Sequence, residues 1–198
     1  MTATIAAPQV EDRILDAGSR CIARWGVAKT TLDDVAREAA CSRATIYRVF
    51  PGGRDALLRR LVQREASTFF GELDALLGRA GTLEALVEAG ISAATARLAA
   101  HPVLQYALRH ESAVLPSWQS SELALAHQAA AAWLAGHLAR FLAPDRTDVT
   151  ADWLVRVVFA LVQCPSPHFD PTDPDTVTRL ARTFVLPGLT RLLEDPPT

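Results

Sequence analysis

Arg43, Ala44, Thr45, Tyr47 and Arg48 crowd into one short stretch, RATIYR, and their side chains suit the edges of a nucleic-acid duplex. An arginine guanidinium can donate two hydrogen bonds to a guanine edge, and a Thr or Ala methyl can touch the methyl of thymine. A tyrosine hydroxyl suits a phosphate oxygen, a contact that positions a protein without reading sequence. Thr30 and Thr31 add two hydroxyls at the start of a helix, where free backbone N–H groups favour anions. The same residues also fit the solvated face of an ordinary helical bundle, and spacing alone leaves both readings open.

Groove-reading chemistry needs a rigid mount, and the flanking residues supply one. Ile14, Ala17, Cys21, Ile22 and Trp25 recur every three or four residues, the apolar face of a first helix that Gly26 ends. Residues 1–9 read as a loose tail. Thr30-Thr31 offers a hydroxyl cap to a second, short helix with Asp33 and Asp34 in its first turn and Leu32, Val35, Ala36 and Ala39 inside. Ala40-Cys41-Ser42 breaks it. Ser42 caps a third helix from Arg43 to Phe50, and Trp25, Ile46 and Phe50 are expected to meet in a small core. Pro51-Gly52-Gly53 is a strong stop. This is the pattern of a helix-turn-helix.

Helices continue to the end of the chain. Leu57, Leu61, Ala66, Phe69, Leu73 and Leu76 mark a long one from about Arg54 to Gly78, and Gly81-Thr82 opens another running to Ala100. His101-Pro102 opens a helix through Leu104 and Leu108, and Pro116 to Ser121 reads as a loop. An Ala-rich helix follows from Glu122 to Leu142, which Ala143-Pro144-Asp145 closes. Thr150 is the expected cap of Asp152–Gln163. A last helix carries Val177, Leu180, Ala181 and Phe184 and is broken at Pro187-Gly188. With 35 alanines among 198 residues, 49% apolar, the prediction is an all-α chain of about nine helices. The expected domains are residues 1–53 and 54–198.

Composition excludes several functions. The net charge of −2 hides a balance of +3 in residues 1–60 and −5 in residues 61–198, which assigns different surfaces to different work. Cys21, Cys41 and Cys164 form no CxxC pair, and none of the five histidines has an HExxH or paired spacing, so no metal or cofactor is expected. There is no phosphate loop or nucleophile elbow. His110 and Glu111, the one suggestive acid–base pair, point different ways on a helix, so no catalytic residue is assigned. The N-terminus lacks the features of a secretory signal. The longest uncharged stretch, Leu123 to Ala139, is 17 residues and contains His127, Gln128 and His137, too short and polar for a bilayer. A soluble, cytoplasmic protein without membrane partners is expected.

The stretch TTLDDVAREAACSRATIYRVFPGGRDALL, Thr30 to Leu58, closely resembles the DNA-binding domain of the TetR family of bacterial transcriptional repressors, within a match from Val10 to Leu58. The second half resembles the family in helix count and in the closing pattern around DWLVRVVFALVQCPSP. The resemblance implies a homodimer on a double-stranded DNA operator with inverted half-sites, released by a small-molecule effector. By position it places Arg43, Ala44, Thr45, Tyr47 and Arg48 at the DNA, and Thr30, Thr31, Gly53 and Arg54 at phosphates. Two departures stand out. Ala40 replaces the usual turn glycine, costing about 1 kcal/mol if that site needs positive φ. Gly52-Gly53-Arg54 replaces a shorter Ser-Lys and is one residue longer.

The resemblance also implies an effector cavity in the C-terminal helices, for which Phe70, Tyr106, His110, Trp118, Trp133 and His137 combine size with a polar tip or an inner-face position. The scarcity of charge in Ala124–Ala139 suggests an apolar or amphipathic effector. For the dimer, Asp152–Gln163 is apolar nearly all round, so Trp153, Val157, Val158 and Leu161, with Val177, Leu180 and Phe184, form the expected contact. The competing reading is a helical small-molecule-binding or scavenging protein that no longer binds DNA. Binding to a duplex with inverted half-sites, without turnover, separates it from a repressor and from an enzyme.

Overall fold

The computed structural model describes residues 7–103, 105, 121–164 and 166–194, and every regular element among them is helical. The elements are α1 (Ala7–Trp25), α2 (Leu32–Glu38), α3 (Arg43–Val49), α4 (Gly53–Leu77), α5 (Leu83–Ala100), α6 (Ser121–Leu138), α7 (Pro144–Gln163), α8 (Pro174–Leu180), a π turn at Ala181–Val185, and α9 (Leu186–Glu194). They divide into two compact units, residues 1–68 with 102–107, and residues 69–101 with 108–198.

In the N-terminal unit, side chains close the helix ends. Gly26, at φ 78°, ends α1 and donates its N–H to Ile22 O. Thr31 and Asp34 form a reciprocal capping box at α2: Asp34 N donates to Thr31 Oγ1 at 3.2 Å and Thr31 N to Asp34 Oδ2 at 3.1 Å. Those bonds from Thr31 hold the Asp34 carboxyl below its ordinary range. Helix α2 leaves through a Schellman turn, with Cys41 N on Ala36 O at 2.9 Å and Ala40 N on Arg37 O at 3.2 Å. Its left-handed position is Ala40, φ 48°, the departure flagged by the sequence. Ser42 then caps α3 by accepting from Thr45 N. Two seven-residue helices are thereby fixed at three of their four ends by local bonds.

Ile14, Leu15, Ile22, Val35, Ile46, Phe50, Leu57, Leu61 and Val103 make the core of this unit. Leu57 and Leu61 belong to α4, so the first unit extends through Thr68 rather than stopping at residue 53. Trp25 is a correction. It is 40% exposed, beside Arg24 at the end of α1, because the shorter Cys21 and Ile22 already fill the inner face.

The C-terminal unit is built from the last third of α4, with Phe69, Leu73 and Leu77 buried, and from α5 to α9. Arg140, just past α6, donates to Leu77 O and Ala80 O and so satisfies carbonyls at the end of α4. Helix boundaries here differ from expectation. α7 starts at Pro144, eight residues before the expected 152, because proline suits the first helical position and Asp145 the first turn; Thr150 is buried inside the helix. Pro187-Gly188 does not break the last helix either. The π turn inserts one residue, with Leu186 N bonded to Ala181 O, and shifts the register so that Pro187 falls in the first turn of α9.

Candidate nucleic-acid interface

Helix α3 separates its two sides cleanly. Ile46 is fully buried and the cap residue Phe50 nearly so, which fixes the helix on the domain, while Arg43, Ala44, Tyr47 and Arg48 face outward. Thr45 is half-buried, its hydroxyl 2.9 Å from that of Ser42. Arg43 Nη2 donates to Tyr47 Oη and its Nη1 to Asp33 Oδ2, both at 3.4 Å, and the guanidinium carbon lies 5.7 Å from the Tyr47 ring centre. The Tyr47 hydroxyl, and then the Asp33 charge, push the Arg43 pKa up, so this side chain stays cationic. Arg48 makes no hydrogen bond or ion pair among the described residues. It is free to meet an external acceptor.

Several residues expected at phosphates have partners inside the fold. Thr30 is buried and donates its hydroxyl to Gly26 O at 2.9 Å. Arg54 donates to Thr30 O and, at 2.7 Å, to Val27 O, tying the α1–α2 loop to the start of α4. The buried Gly53 spends its N–H on Phe50 O, so it has no donor to offer. Its real part is steric: φ is 63°, and a Cβ there would lie 3.2 Å from Tyr47 Cε1. Thr31 is exposed, but its hydroxyl is engaged with Asp34 Oδ2 at 2.6 Å. The missing Cβ of Gly53 leaves room for the Tyr47 ring. Lys29, outside the set expected at the DNA, is exposed in the loop before α2 and has no partner among the described residues. Being the only lysine of the chain, beside a helix start, was the signal available.

Of the six cavity candidates, Phe70, Trp133 and His137 come together. The rings of Phe70 and Trp133 meet edge to face at 5.0 Å, and those of Trp133 and His137 at 4.9 Å. His137 Nε2 is 2.9 Å from Asp74 Oδ1. Tyr106, His110 and Trp118 lie outside the described residues.

The expected dimer residues divide. Phe184 and Trp153 are exposed, 73% and 46%, and Val149, absent from the expectation, is 72% exposed. Val157, Leu161 and Leu180 are half-buried. Val158 and Val177 are buried within the protomer, on the inner sides of α7 and α8, and so offer little surface to a second copy.

The description "Bacterial regulatory proteins, tetR family" matches residues 14–61, the segment from mid-α1 to mid-α4 that holds α2 and α3. An HTH-type transcriptional regulator of Mycobacterium tuberculosis, Rv1255c, is 30% identical over 189 residues, covering 90% of this chain and 85% of its own length. The chain belongs to the TetR family. Solved structures of this fold extend over both units of the TetR-family regulator. The TetR family repressor AlkX from Dietzia sp. strain DQ12-45-1b superimposes with a TM-score of 0.62 at 22% identity, over 91% of this chain and 95% of its own. A TetR-family regulator from Mesorhizobium loti gives 0.71 at 16%, over 94% and 98%. FadR from Bacillus subtilis, solved in complex with stearoyl-CoA, gives 0.61 at 16%, over 88% and 98%. The regulator is all-α with an N-terminal helix-turn-helix, as the sequence predicts. No helix among its described residues is long and apolar enough to cross a membrane.

Proposed function

We propose that this TetR-family regulator is a cytoplasmic repressor whose N-terminal unit places α3 in the major groove of an inverted-repeat operator. The carrying observation is the contrast on α3 itself, where buried Ile46 and Phe50 fix the helix while Arg48, Arg43 and Tyr47 stand outward. Arg48 reads a base, Tyr47 and Lys29 hold phosphates, and Ala44 and Thr45 line the groove. A seven-residue helix reads only a few base pairs, so two copies act together about a two-fold axis. Exposed Trp153, Phe184 and Val149 supply apolar surface for that contact.

The C-terminal unit takes a small apolar or amphipathic effector, with Phe70 and Trp133 as aromatic wall and His137 as polar tip. The stearoyl-CoA of the Bacillus subtilis FadR structure makes a long acyl chain the first class to try. Effector binding favours a dimer whose recognition helices no longer match successive grooves.

The test begins by selecting duplexes from a randomised pool with the full chain, then titrating the enriched duplex with and without stearate and stearoyl-CoA. Enrichment of an inverted repeat, released by an acyl ligand, is the expected result. Failure to enrich any duplex overturns the DNA-binding reading. Enrichment without release by either compound overturns the acyl class alone.

A further inference from the structure

An acidic side chain on a DNA-facing surface needs a reason, because phosphates repel it. Asp33 is such a side chain. It sits in the first turn of α2, 59% exposed, and its carboxylate has Arg43 as its one partner among the described residues. Its neighbour Asp34 does the work of the capping box and also receives Arg37 at 3.3 Å. Asp33 is therefore not needed to close the helix. Arg43 opens α3, ten residues along the chain, and its guanidinium is held between Asp33 on one side and Tyr47 on the other. The two arginines of α3 consequently differ: Arg43 is tethered and Arg48 is not.

We propose that Asp33 is a positioning residue that sets sequence selectivity by holding Arg43, an inference that rests on the DNA-binding reading above. A guanidinium has five N–H donors in a fixed plane. With one edge on Asp33 and one on Tyr47, Arg43 keeps donors for a base edge at a fixed angle while losing the freedom to swing onto any nearby phosphate. On an arbitrary duplex the Asp33 carboxylate contributes only repulsion. On a matched duplex its orientation of Arg43 offsets that repulsion. The carboxylate thus weakens general affinity more than specific affinity, and so widens the gap between them.

The experiment compares the duplex enriched by the wild-type chain with a scrambled duplex of equal length, titrated with wild type, Asp33→Asn, Asp33→Glu, Arg43→Ala and the Asp33→Asn/Arg43→Ala pair. Asp33→Asn is expected to tighten scrambled-duplex binding by about three- to fivefold, the scale of one exposed charge interaction. Binding to the enriched duplex should change by less than about twofold on the same scale. Asp33→Glu should restore the ratio between the two duplexes. In the Arg43→Ala background the Asn change should shift both duplexes by one common factor. Melting followed by circular dichroism reports on α2, and Asp33→Ser is the second variant if Asn lowers it.

An equal tightening of both duplexes by Asp33→Asn alone reduces Asp33 to plain charge repulsion and overturns the proposal. So does an unchanged ratio. If the wild-type chain enriches no duplex, the DNA-binding reading falls and the proposal with it. If enrichment succeeds and the ratio is insensitive to Asp33, the proposal alone falls.

Discussion

The two units of the regulator turn opposite chemistry toward solvent. On the N-terminal unit the outward residues of α3 and the preceding loop are Arg43, Tyr47, Arg48 and Lys29, long polar side chains on a buried apolar base. On the C-terminal unit the conspicuous exposed residues are Leu125, Val149, Trp153 and Phe184. A charged, hydrated surface suits a partner that stays hydrated, such as a duplex. Large apolar side chains at the surface suit a partner that removes them from water, such as a second copy of the chain. Two such surfaces on one chain would respond to different variables. The first should depend steeply on salt and the second on apolar contact.

The largest expected effect breaks the apolar half of that comparison. Trp153→Glu with Phe184→Glu places two charges where a dimer would bury them, at several kcal/mol for each left unpaired. Sedimentation should show monomer, and affinity for the enriched duplex should collapse with the helix-turn-helix still folded. An intact dimer with both changes in place would move the contact elsewhere.

On the polar side, Arg48→Ala should cost about 1–3 kcal/mol on the enriched duplex and relax preference at one position of each half-site. Lys29→Ala, by contrast, should weaken enriched and scrambled duplexes by the same factor, because phosphate contacts carry no sequence information. Competition binding against single-base variants separates the two behaviours. A uniform loss for Arg48→Ala would reassign it to the backbone.

Two further changes sharpen the role of the turn between α2 and α3. Ala40→Gly relieves a left-handed alanine and should stabilise the protein by about 1 kcal/mol in thermal unfolding, with DNA affinity unchanged. Thr31→Ala removes the side-chain half of the capping box and should cost about 1 kcal/mol at neutral pH. Part of that loss is pH-dependent. The Thr31 bonds hold the Asp34 carboxyl below its ordinary range, so their contribution is present above the unfolded carboxylate value and is lost as pH falls through the lower folded one. The gap between wild type and Thr31→Ala should therefore narrow below about pH 4, where unfolded aspartates take up protons.

These local features explain why the N-terminal unit was legible in the sequence. Gly26, Thr31, Asp34 and Ser42 end or start helices through bonds to their immediate neighbours, so residue type and position suffice. The same cues misled in the C-terminal unit. Pro144 can end one helix or open the next, and burial of Thr147, Thr150 and Ala151 against the rest of the bundle decides for opening. Pro187 looks like a break in the sequence because the π turn upstream is set by packing of Ala181 and Val185, which no local pattern announces. Site residues follow the same division. The outward set on α3 follows from helical periodicity, whereas Thr30, Gly53 and Arg54 are drawn inward by partners 3 to 27 residues away. The burial of Val158 and Val177 was not legible for a related reason: an all-apolar helix does not reveal which of its sides the protomer has already covered.

Recognition of DNA by two α3 helices is tested by the sequence and stoichiometry of the duplex that the full chain enriches from a random pool. The expected result is an inverted repeat whose half-sites lie one or more helical turns apart, about 10 base pairs each, bound by an even number of chains with affinity falling steeply as salt rises. Enrichment of a single undivided site bound by one chain, or binding that ignores salt, would contradict it.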